Sequence, residues 1–410
     1  MYEWNPVYNL VMSIKNEYKN KFGIDTIDFN TWIEKLNNVE YNDIFDCLQT
    51  NQYNNYLLIR YGIADMQESM WTDSNSIYRE CRSIVIDLEN EELVLTPFRK
   101  FFNMDEIPEN NVDVISDELN KAKIVEYTNK LDGSMQSARY YKDNYFMSGS
   151  MALSADDSWR LQDGYSMLTD NYKTMLYENQ DYTFIFEYIS MKDAHVVLYN
   201  ANQQGLYLIG IRNVYTGEEL NYYDIKLFAE KYDIPMTQIE ETTLDEILDN
   251  MKKLKSNEKE GWVINIDGHK IKIKCDDYIN LHRLLDKMSS INVVIQNIAE
   301  DRYDDMISKI LDNYKIRIEK ISNEIFKYKH NTENWIRYYY DNAPKDDRKT
   351  FMIWVDKNCP PNLIGYIKSV YLNKEFNVLK NNSNSYKKLN ELGIIMDYSA
   401  AFAYLEEKDG

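Results

Sequence analysis

We predict from the sequence an α+β fold in which an antiparallel-sheet domain is followed by an all-α domain. Between about residue 56 and Lys274, short runs of β-branched and aromatic residues alternate with turn residues, which is typical of strands. Beyond Lys274 these runs stop and apolar residues recur at three- and four-residue spacing, which is typical of amphipathic helices. We place the boundary after residue 285, so the predicted domains are 1–285 and 286–410.

The elements of the first domain follow in order from this pattern. Residues 2–48 are predicted to be rich in helix because Val7, Val11 and Ile14 recur at helical spacing. Residues 222–254 form a second predicted helical stretch, and the turn signals TGEE and DGHK predict antiparallel hairpins. The predicted strands are YLLIRYGI (56–63), RSIVIDL (82–88), ELVLTPF (92–98), KIVEYTNK (123–130), TFIFEYIS (183–190), HVVLYN (195–200), LYLIGIRNVY (206–215), GWVINIDG (261–268) and KIKIK (270–274).

The second domain is predicted to be a packed helix bundle. An apolar stripe from Ile307 to Ile325 predicts one long amphipathic face. The stretch KNNSNSY, 380–386, predicts a loop. Further helical patterns are NWIRYYY (334–340), KTFMIWVDK (349–357), LIGYIKSVYL (363–372) and YSAAFAYLEE (398–407).

The charge balance excludes some classes of function. The 410 residues include 47 Lys and Arg against 67 Asp and Glu, which gives a formal net charge of -20. This balance argues against a protein that coats nucleic acid or an anionic membrane by bulk electrostatics, although it leaves room for a local basic groove. The four cysteines have no CxxC spacing and no long apolar run occurs, so we expect a soluble, cytoplasmic protein without membrane contact.

The segment KLDGS, residues 130–134, is the sharpest chemical signal in the chain. A lysine that attacks phosphorus must first lose its proton, and nearby cations or a bound metal can lower its pKa. Asp132 could orient the amine of Lys130 or a metal, and Gly133 permits a tight turn and close approach to a ligand. Taken alone, the same segment is equally typical of a surface turn.

The lysines of HKIKIK point to an anion. Alternation within a strand places Lys270, Lys272 and Lys274 on one face. Three neighbouring ammonium groups are unfavourable unless an anion lies among them, and a polyphosphate is such an anion. The alternative is an exposed edge strand whose lysines prevent aggregation.

The order of motifs resembles the covalent nucleotidyltransferase superfamily, which comprises DNA ligases, RNA ligases and mRNA capping enzymes. KLDG resembles its motif I, FEY motif III, EGWV motif IV and KIK motif V. The DNA-ligase type and the capping enzymes continue from motif V into a small β-barrel, whereas a helical tract follows here. The chain is most similar to the bacteriophage RNA ligase 1 family, the tRNA-repair type, whose ECRG and KFFN elements look like ECRS and KFFN, and whose helical half is similar in PKDDRKTF and LIGYIKSVY.

The resemblance implies a role for each matching residue. Lys130 would be the nucleophile that accepts AMP. The implied metal ligands are Asp304 and Asp305 in RYDDM, which could equally be solvated residues at a helix start. The implied ATP-binding residues are Tyr61, Arg82, Lys100, Phe102, Gly133, Glu187, Glu260, Lys272 and Lys274.

The implied activity is ATP-dependent ligation of single-stranded RNA ends. A 5′-phosphate and a 3′-hydroxyl would be joined through a lysine-AMP and an adenylated RNA, with ATP as substrate and Mg²⁺ or Mn²⁺ as metal. Residues 1–285 would be the adenylation domain, and 286–410 an RNA-specificity domain that recognises the broken anticodon loop of tRNA. The setting implied is tRNA or RNA repair in the cytoplasm of a phage-infected host, and no protein partner is inferred.

Two departures from the family concern how substrates are held. The family has a basic residue just before a Gly-Ser pair after motif I, whereas FMSGSM has the uncharged Met147 and Ser148 there. An Asn-Arg pair after motif III is replaced by Ala194-His195, so His195 could take over a substrate contact or be a structural residue.

Two other functions remain open from the residues. The first is a DNA ligase or a capping enzyme, which shares the lysine chemistry. The second is a catalytically silent RNA-binding protein, in which the aromatic cluster NWIRYYYDN, 334–342, would stack on unpaired bases. Aromatic residues at helical spacing are also typical of a helix core.

Overall fold

The computed structural model describes residues 2–62, 69–72, 76–193, 196–197, 199–255, 258–288, 291–307 and 312–379. The chain divides into two compact units, Met1–Leu281 and His282–Gly410. The roles assigned to 1–285 and 286–410 stay predictions. Among the described helices, none is both long enough and apolar enough to span a bilayer.

The helices of the first unit include the predicted N-terminal group and the predicted stretch after residue 222. The described residues also include the short 3₁₀ turns Pro108–Asn110, Ala155–Asp157 and Ala201–Gln203. The α-helices are α1 Pro6–Phe22, α2 Phe29–Leu36, α3 Val39–Phe45, α4 Ser69–Thr72, α5 Ile77–Glu80, α6 Val112–Leu119, α7 Trp159–Ser166, α8 Asp170–Glu178, α9 Tyr222–Tyr232, α10 Leu244–Asn250 and α11 Asp276–Met288, which continues past Leu281.

The described strands of the first unit form three four-stranded sheets. The first sheet has the order β1-β2-β3-β4, the second β10-β9-β7-β8 and the third β5-β12-β11-β6. The strands are β1 Leu48–Tyr53, β2 Tyr56–Tyr61, β3 Arg82–Asp87, β4 Glu92–Leu95, β5 Phe102–Asn103, β6 Val125–Lys130, β7 Ser134–Tyr141, β8 Asn144–Ser148, β9 Tyr182–Ile189, β10 Gly205–Asn213, β11 Gly261–Ile266 and β12 His269–Lys274.

The N-terminal helices cover one face of the first sheet. Helix α1 is capped by Asn5, whose side chain accepts from the Tyr8 amide, and it ends at Gly23, which has a left-handed φ of 66°. Its buried face includes Val7 and Ile14, and these pack with residues of β2 and β3 in one hydrophobic cluster. The predicted helical lead-in is therefore confirmed as the cover of this sheet.

The third sheet is built around the predicted DGHK hairpin. Asp267 and Gly268 both have positive φ, 48° and 99°, as a two-residue turn between antiparallel strands requires. Strand β12 lies inside this sheet, between β11 and the short β5. The edge-strand explanation for its lysines is therefore wrong.

Residues 131–133 connect the third sheet to the second, because β6 ends at Lys130 and β7 begins at Ser134. Lys130 pairs with Gly261 of β11, and Ser134 pairs with Tyr188 of β9. The KLDGS segment thus lies where the chain leaves one sheet and enters the other, so its backbone is fixed at both ends by a strand ladder.

The second unit is helical throughout its described part. Its helices after α11 are α12 Ile291–Ala299, α13 Tyr303–Ile307, α14 Asp312–Asn342, α15 Arg348–Asn358 and α16 Pro361–Tyr371. Ile325, the last residue of the predicted apolar stripe, is buried in the core of this unit, and so is Ile336 further along α14. Residues 308–311, which the predicted stripe includes, and the stretches 380–386 and 398–407 lie outside the described residues.

Two predictions about strands are wrong. The stretch 195–200 has no strand among its described residues, because the Val197 amide donates to the Asp132 carboxylate, 2.8 Å away, instead of joining a ladder. The TGEE turn closes an isolated bridge between Arg212 and Glu219 and joins no two strands. The predicted antiparallel pairing is confirmed for the described strands apart from the short β5, which runs parallel to β12.

Candidate active site

A cavity of about 300 Å³ opens between the second and third sheets. Its floor includes residues of β6, β11 and β12 on one side and of β9 and β10 on the other. Six of the predicted site residues line it, namely Arg82, Lys130, Gly133, Glu187, Lys272 and Lys274. The apolar part of the wall includes Phe98, Ile209, Val263 and Met236. The cavity wall therefore combines cationic and apolar side chains, which suits a ligand with both a negative charge and a flat apolar group.

The carboxylate of Glu260 forms ion pairs with two of these cations. Its Oε2 lies 2.5 Å from the Nζ of Lys130, and its Oε1 lies 2.9 Å from the Nζ of Lys274. The Glu260 side chain is only 3% exposed, whereas that of Lys130 is 19% exposed. The carboxylate thus holds both ammonium groups at the cavity wall while it is shielded from water itself.

The charges at this site determine the protonation of Lys130. Burial alone would lower the pKa of its amine, but the carboxylates of Glu260, Glu187 and Asp132 outweigh burial and raise the pKa. Burial would likewise raise the pKa of Glu260, and the charges of Lys130 and Lys274 reverse this and lower it. In the ligand-free protein the amine of Lys130 is therefore paired with a carboxylate, and the lowering of its pKa by phosphate-binding cations or a bound metal stays a prediction.

Lys272 differs from Lys130 because the charged groups that act on it are cations instead of carboxylates. Burial, followed by the charges of Arg82, Lys100, Lys130 and Lys274, lowers its pKa well below the usual value. Its Nζ donates to the carbonyl oxygen of Phe101 at 2.9 Å. An anion bound among these five predicted cations would favour the charged form of Lys272.

The other two lysines of β12 differ from Lys272 because each has a carboxylate partner. Lys274 pairs with Glu260, and Lys270 pairs with Glu219. The predicted one-sided arrangement is confirmed, since Lys270, Lys272 and Lys274 alternate with the buried Ile271 and Ile273.

Gly133 lies against the backbone of the second sheet. Its amide donates to the Oε1 of Glu187 at 3.0 Å. A Cβ atom at Gly133 would lie 2.4 Å from the carbonyl oxygen of Tyr188 and 2.9 Å from the Cγ of Glu187, which are distances that real Cβ atoms do not adopt. Glycine is therefore required for the motif to reach Glu187.

Asp132 fixes the surrounding loop. Its Oδ1 accepts from the hydroxyl of Tyr278, and its Oδ2 accepts from the Val197 amide, both at 2.8 Å. The amide of Asp132 itself donates to the hydroxyl of Tyr199 at 2.8 Å. Sequence reasoning missed Tyr278 and Tyr199; the only available signal for Tyr278 was its place four residues after Lys274, in the segment KIKCDDYINLH.

Besides Glu260, three predicted ATP-binding residues do not line this cavity, namely Tyr61, Lys100 and Phe102. The Nζ of Lys100 lies 4.8 Å from the ring centroid of Phe102 and 5.4 Å from that of Tyr61. Phe102 is only 2% exposed and packs edge-on against Trp71. The ATP contact that the resemblance implies for Phe102 would require its ring to leave this packing. Phe101, which sequence reasoning did not single out, lines the cavity instead.

The remaining predicted positions lie elsewhere. Asp304 and Asp305 are exposed in the first turn of α13, in the second unit, and they stay a prediction as metal ligands. Among the described residues no three His, Cys, Asp or Glu side chains converge on one point. His195 lies outside the described residues. Met147 and Ser148 are buried and uncharged, and a guanidinium nitrogen of Arg60 donates to the hydroxyl of the nearby Ser150.

Comparisons with known proteins gave one family match and several similar solved structures. Residues 80–278 match the sequence model of a protein family described as RNA ligase. A search of curated proteins finds no match to the chain.

Among solved structures, the chain is similar to an archaeal ATP-dependent RNA ligase. The identity is 12%, with 70% of this chain and 75% of that chain covered and a TM-score of 0.42. It is also similar to a Naegleria gruberi RNA ligase with PPi, at 18% identity and a TM-score of 0.32, with 42% of this chain covered. The match spans 55% of the Naegleria chain.

The matched segment contains the whole sequence from Glu80, just before Arg82, through motif I and both glutamates to Tyr278, which holds Asp132. Residues 80–278, which include every residue that lines the first cavity, therefore match the RNA ligase family model, and this match covers slightly less than half of the chain.

Proposed function

We propose that this protein is an ATP-dependent RNA ligase that joins the 5′-phosphate and 3′-hydroxyl ends of single-stranded RNA. The observation that carries the proposal is the position of Lys130, which lies at the wall of the cavity with its Nζ 2.5 Å from Glu260. Arg82, Lys272 and Lys274 line the same cavity. A lysine among cations is suited to attack a phosphate whose negative charge those cations bind.

The reaction proceeds in three steps. First, the amine of Lys130 forms an N–P bond to the α-phosphorus of ATP, and the bond from that phosphorus to pyrophosphate breaks. Second, an oxygen of the RNA 5′-phosphate attacks the AMP phosphorus, and the N–P bond breaks as Lys130 regains a proton. Third, the RNA 3′-hydroxyl attacks the activated 5′-phosphorus, AMP leaves and the hydroxyl proton is released.

The first step needs a free amine. The ammonium group of Lys130 must lose one proton, and the Oε2 of Glu260 at 2.5 Å is the carboxylate oxygen in direct contact with it. Binding of the ATP phosphates to Arg82, Lys272 and Lys274 would satisfy the cations with phosphate oxygens, which are good acceptors for charged donors. The apolar wall would then surround the adenine.

The site fits a divalent metal that enters with ATP. Mg²⁺ is usually held by one or two carboxylates together with waters and substrate phosphates, and Glu260 and Glu187 are the two carboxylates with the largest effects on the pKa of Lys130. These two side chains would hold Mg²⁺ or Mn²⁺, which would supply charge neutralisation for the departing pyrophosphate.

The helical unit is proposed to select the RNA in tRNA or RNA repair. Trp335 and Tyr338 of α14 are 55% and 56% exposed, with ring centroids 5.6 Å apart. Exposed aromatic rings stack on unpaired bases such as those of a broken anticodon loop. Double replacement of Trp335 and Tyr338 by Ala should weaken binding of single-stranded RNA and leave lysine-AMP formation unchanged; equal RNA binding by both proteins would contradict this role.

The chemistry is tested by incubating the full-length protein with α-labelled ATP and Mg²⁺. We expect a protein-bound label that acid releases, that is absent in Lys130→Ala and that persists in Lys226→Ala. Lys226 is a matched control because it lies on the exposed face of α9, paired with Glu230. Absence of the label in the unchanged protein, or its survival in Lys130→Ala, would contradict the proposed function.

The second part of the test is ligation. A 5′-phosphorylated single-stranded RNA with a 3′-hydroxyl should be circularised or joined, whereas the same RNA with a 5′-hydroxyl should not. Replacing α-labelled ATP by α-labelled GTP separates this proposal from a capping enzyme, because only ATP should label Lys130.

A further inference from the structure

A second cavity of about 350 Å³ adjoins the first. The two cavities share Arg82 and Met135 in their walls. The second cavity is lined by three arginines, Arg60, Arg82 and Arg160, of which Arg60 and Arg160 have no part in the proposed adenylation chemistry.

Arg60 and Arg82 face each other across neighbouring strands. They are directly paired in the register of β2 with β3, just after a bulge that follows Ile59. Residues directly opposite in an antiparallel pair project from the same face, where like charges are destabilising. Among the ion pairs between described residues, the arginines of this cavity are represented by Arg160 with Asp193. The charges of Lys270 and Arg212, and after them that of Arg82, lower the pKa of Glu219. The facing pair therefore brings two positive charges together on one face of the sheet.

The bulge that creates this pair is itself strained. Ser83, the extra residue between Arg82 and Ile84, has a φ of 66°, which is a left-handed conformation uncommon for a residue other than glycine. Its hydroxyl donates to the carbonyl oxygen of Ser150 at 2.7 Å, which helps to hold it there. Strain of this kind concentrates at functional sites, and bulges are frequent beside them.

The third arginine approaches from helix α7. The Nε of Arg160 lies 2.8 Å from the Oδ1 of Asp193, and the Oδ2 of Asp193 accepts from the hydroxyl of Ser134 at 2.7 Å. Asp193 is buried and offsets one of the three positive charges. Ser134 belongs to the KLDGS segment and lines the second cavity, so this cavity begins where the lysine motif ends.

The wall also carries small polar groups. A guanidinium nitrogen of Arg60 donates to the hydroxyl of Ser150, and Gly149 lies beside it. A guanidinium group presents a planar fork of donors that matches the oxygens of phosphate. The hydroxyls and the glycine backbone next to two arginines are therefore suited to bind a phosphate group.

We propose that the second cavity binds a phosphate group of a substrate through Arg60 and Arg82, with Arg160 at its far side. This inference rests on the proposed function in its identification of the substrates, which offer two sources of that phosphate. One is the 5′-phosphate of the RNA, and the other is the pair of outer phosphates of ATP that leave as pyrophosphate. Because Arg82 lines both cavities, either phosphate would lie next to the phosphate that reacts with Lys130.

The experiment compares Arg60→Ala, Arg60→Lys and the control Lys226→Ala in the full-length protein. Binding of pyrophosphate is measured by calorimetry. Binding of a 5′-phosphorylated RNA 10-mer and of the same 10-mer with a 5′-hydroxyl is measured by fluorescence anisotropy. Loss of a charge-assisted contact costs about 1.5–3 kcal/mol, so we expect Arg60→Ala to weaken one of the two phosphate ligands by about 10- to 100-fold. Arg60→Lys should restore part of the loss.

The two sources give different results. If the cavity holds the RNA 5′-phosphate, Arg60→Ala removes the preference for the phosphorylated 10-mer and leaves pyrophosphate binding unchanged. If it holds the outer phosphates of ATP, Arg60→Ala weakens pyrophosphate binding and leaves the RNA preference unchanged. The proposal is overturned if both ligands bind Arg60→Ala within twofold of the unchanged protein.

Two controls separate a loss of binding from a loss of folding and from a loss of catalysis. Arg60→Ala removes one of two facing like charges, so its thermal midpoint should equal or exceed that of the unchanged protein. Both measurements are binding assays that need no turnover. A protein that forms no lysine-AMP but still binds pyrophosphate or the 5′-phosphate through Arg60 would refute the proposed function while supporting this site.

Discussion

The Nζ of Lys130 lies 2.5 Å from the Oε2 of Glu260, and the other oxygen of the same carboxylate holds Lys274. The proposed nucleophile is thus kept as an ammonium ion until substrate binds. This arrangement makes the step that generates the free amine sensitive to pH and to the charge of Glu260.

Glu260→Gln should shift the pH dependence of lysine-AMP formation to lower pH. The pKa of Lys130 is raised by neighbouring carboxylates, of which Glu260 contributes most, and the neutral amine becomes more abundant as pH rises through that pKa. Removing the negative charge of Glu260 lowers the pKa, so the rising limb of the rate profile begins at lower pH even if the maximal rate falls. The measurement is the initial rate of label incorporation between pH 5 and pH 10.

The control for that experiment is Glu258→Gln, which changes an exposed carboxylate two residues away. Its profile should overlay that of the unchanged protein. A midpoint for Glu260→Gln that stays the same, or moves to higher pH, would show that Glu260 does not govern the protonation of Lys130.

Gly133→Ala should slow lysine-AMP formation by about 100-fold, the scale of a misplacement of about 1 Å at a reacting group. The new Cβ would lie 2.4 Å from the carbonyl oxygen of Tyr188, so the segment after Lys130 must move away from Glu187. Gly365→Ala is the matched change, because its Cβ would have no neighbour within 4 Å. Equal rates for Gly133→Ala and Gly365→Ala would contradict the close approach.

Tyr278→Phe should lower the free energy of unfolding of the first unit by about 1–3 kcal/mol, which is the cost of leaving a buried acceptor with one partner fewer. The Tyr278 hydroxyl donates to the buried Asp132 at 2.8 Å. Urea unfolding followed by tryptophan fluorescence measures the change, and Tyr223→Phe at an exposed ring is the control. A loss no larger than that of Tyr223→Phe would mean that this hydrogen bond is dispensable.

Replacement of Ser83 separates backbone strain from side-chain contact. Ser83→Gly relieves the cost of a φ of 66° but loses the hydrogen bond to Ser150, so stability should change by less than about 1 kcal/mol. Ser83→Val loses the same bond and places a β-branched residue in a left-handed conformation, which should cost about 1–3 kcal/mol. Thermal unfolding of the two variants decides the matter; similar midpoints would show that the backbone relaxes there.

The parts of the fold that depend on local pattern could be predicted from the sequence. The alternation in HKIKIK gave the face of β12, and Asp267-Gly268 gave the hairpin. Strands β1 and β7 could not be found in the same way because LQTNQY and SMQSARYY are polar, and their pairing with neighbouring strands overrides weak propensity.

In the candidate site, too, the residues marked by local motifs could be predicted, whereas the contacts that depend on tertiary structure could not. Six predicted residues line the first cavity because the motifs fix their positions relative to the strand ends. The contact between Asp132 and Tyr278 joins residues 146 positions apart, and the pairing of Arg60 with Arg82 depends on a bulge. No sequence spacing predicts either of these two contacts. The packing of Phe102 against Trp71 also depends on tertiary structure, and a phenylalanine after a strand gives no sign of which way its ring lies.

The ion pair between Lys130 and Glu260 also determines how this lysine responds to chemical labelling. Acylating reagents and cyanate react with free amines, and a protonated, largely buried amine offers them little. Surface lysines such as Lys226 will therefore be modified before the lysine on which the proposed chemistry depends. A survey that ranks lysines by reactivity toward such reagents in the resting protein would place Lys130 near the bottom.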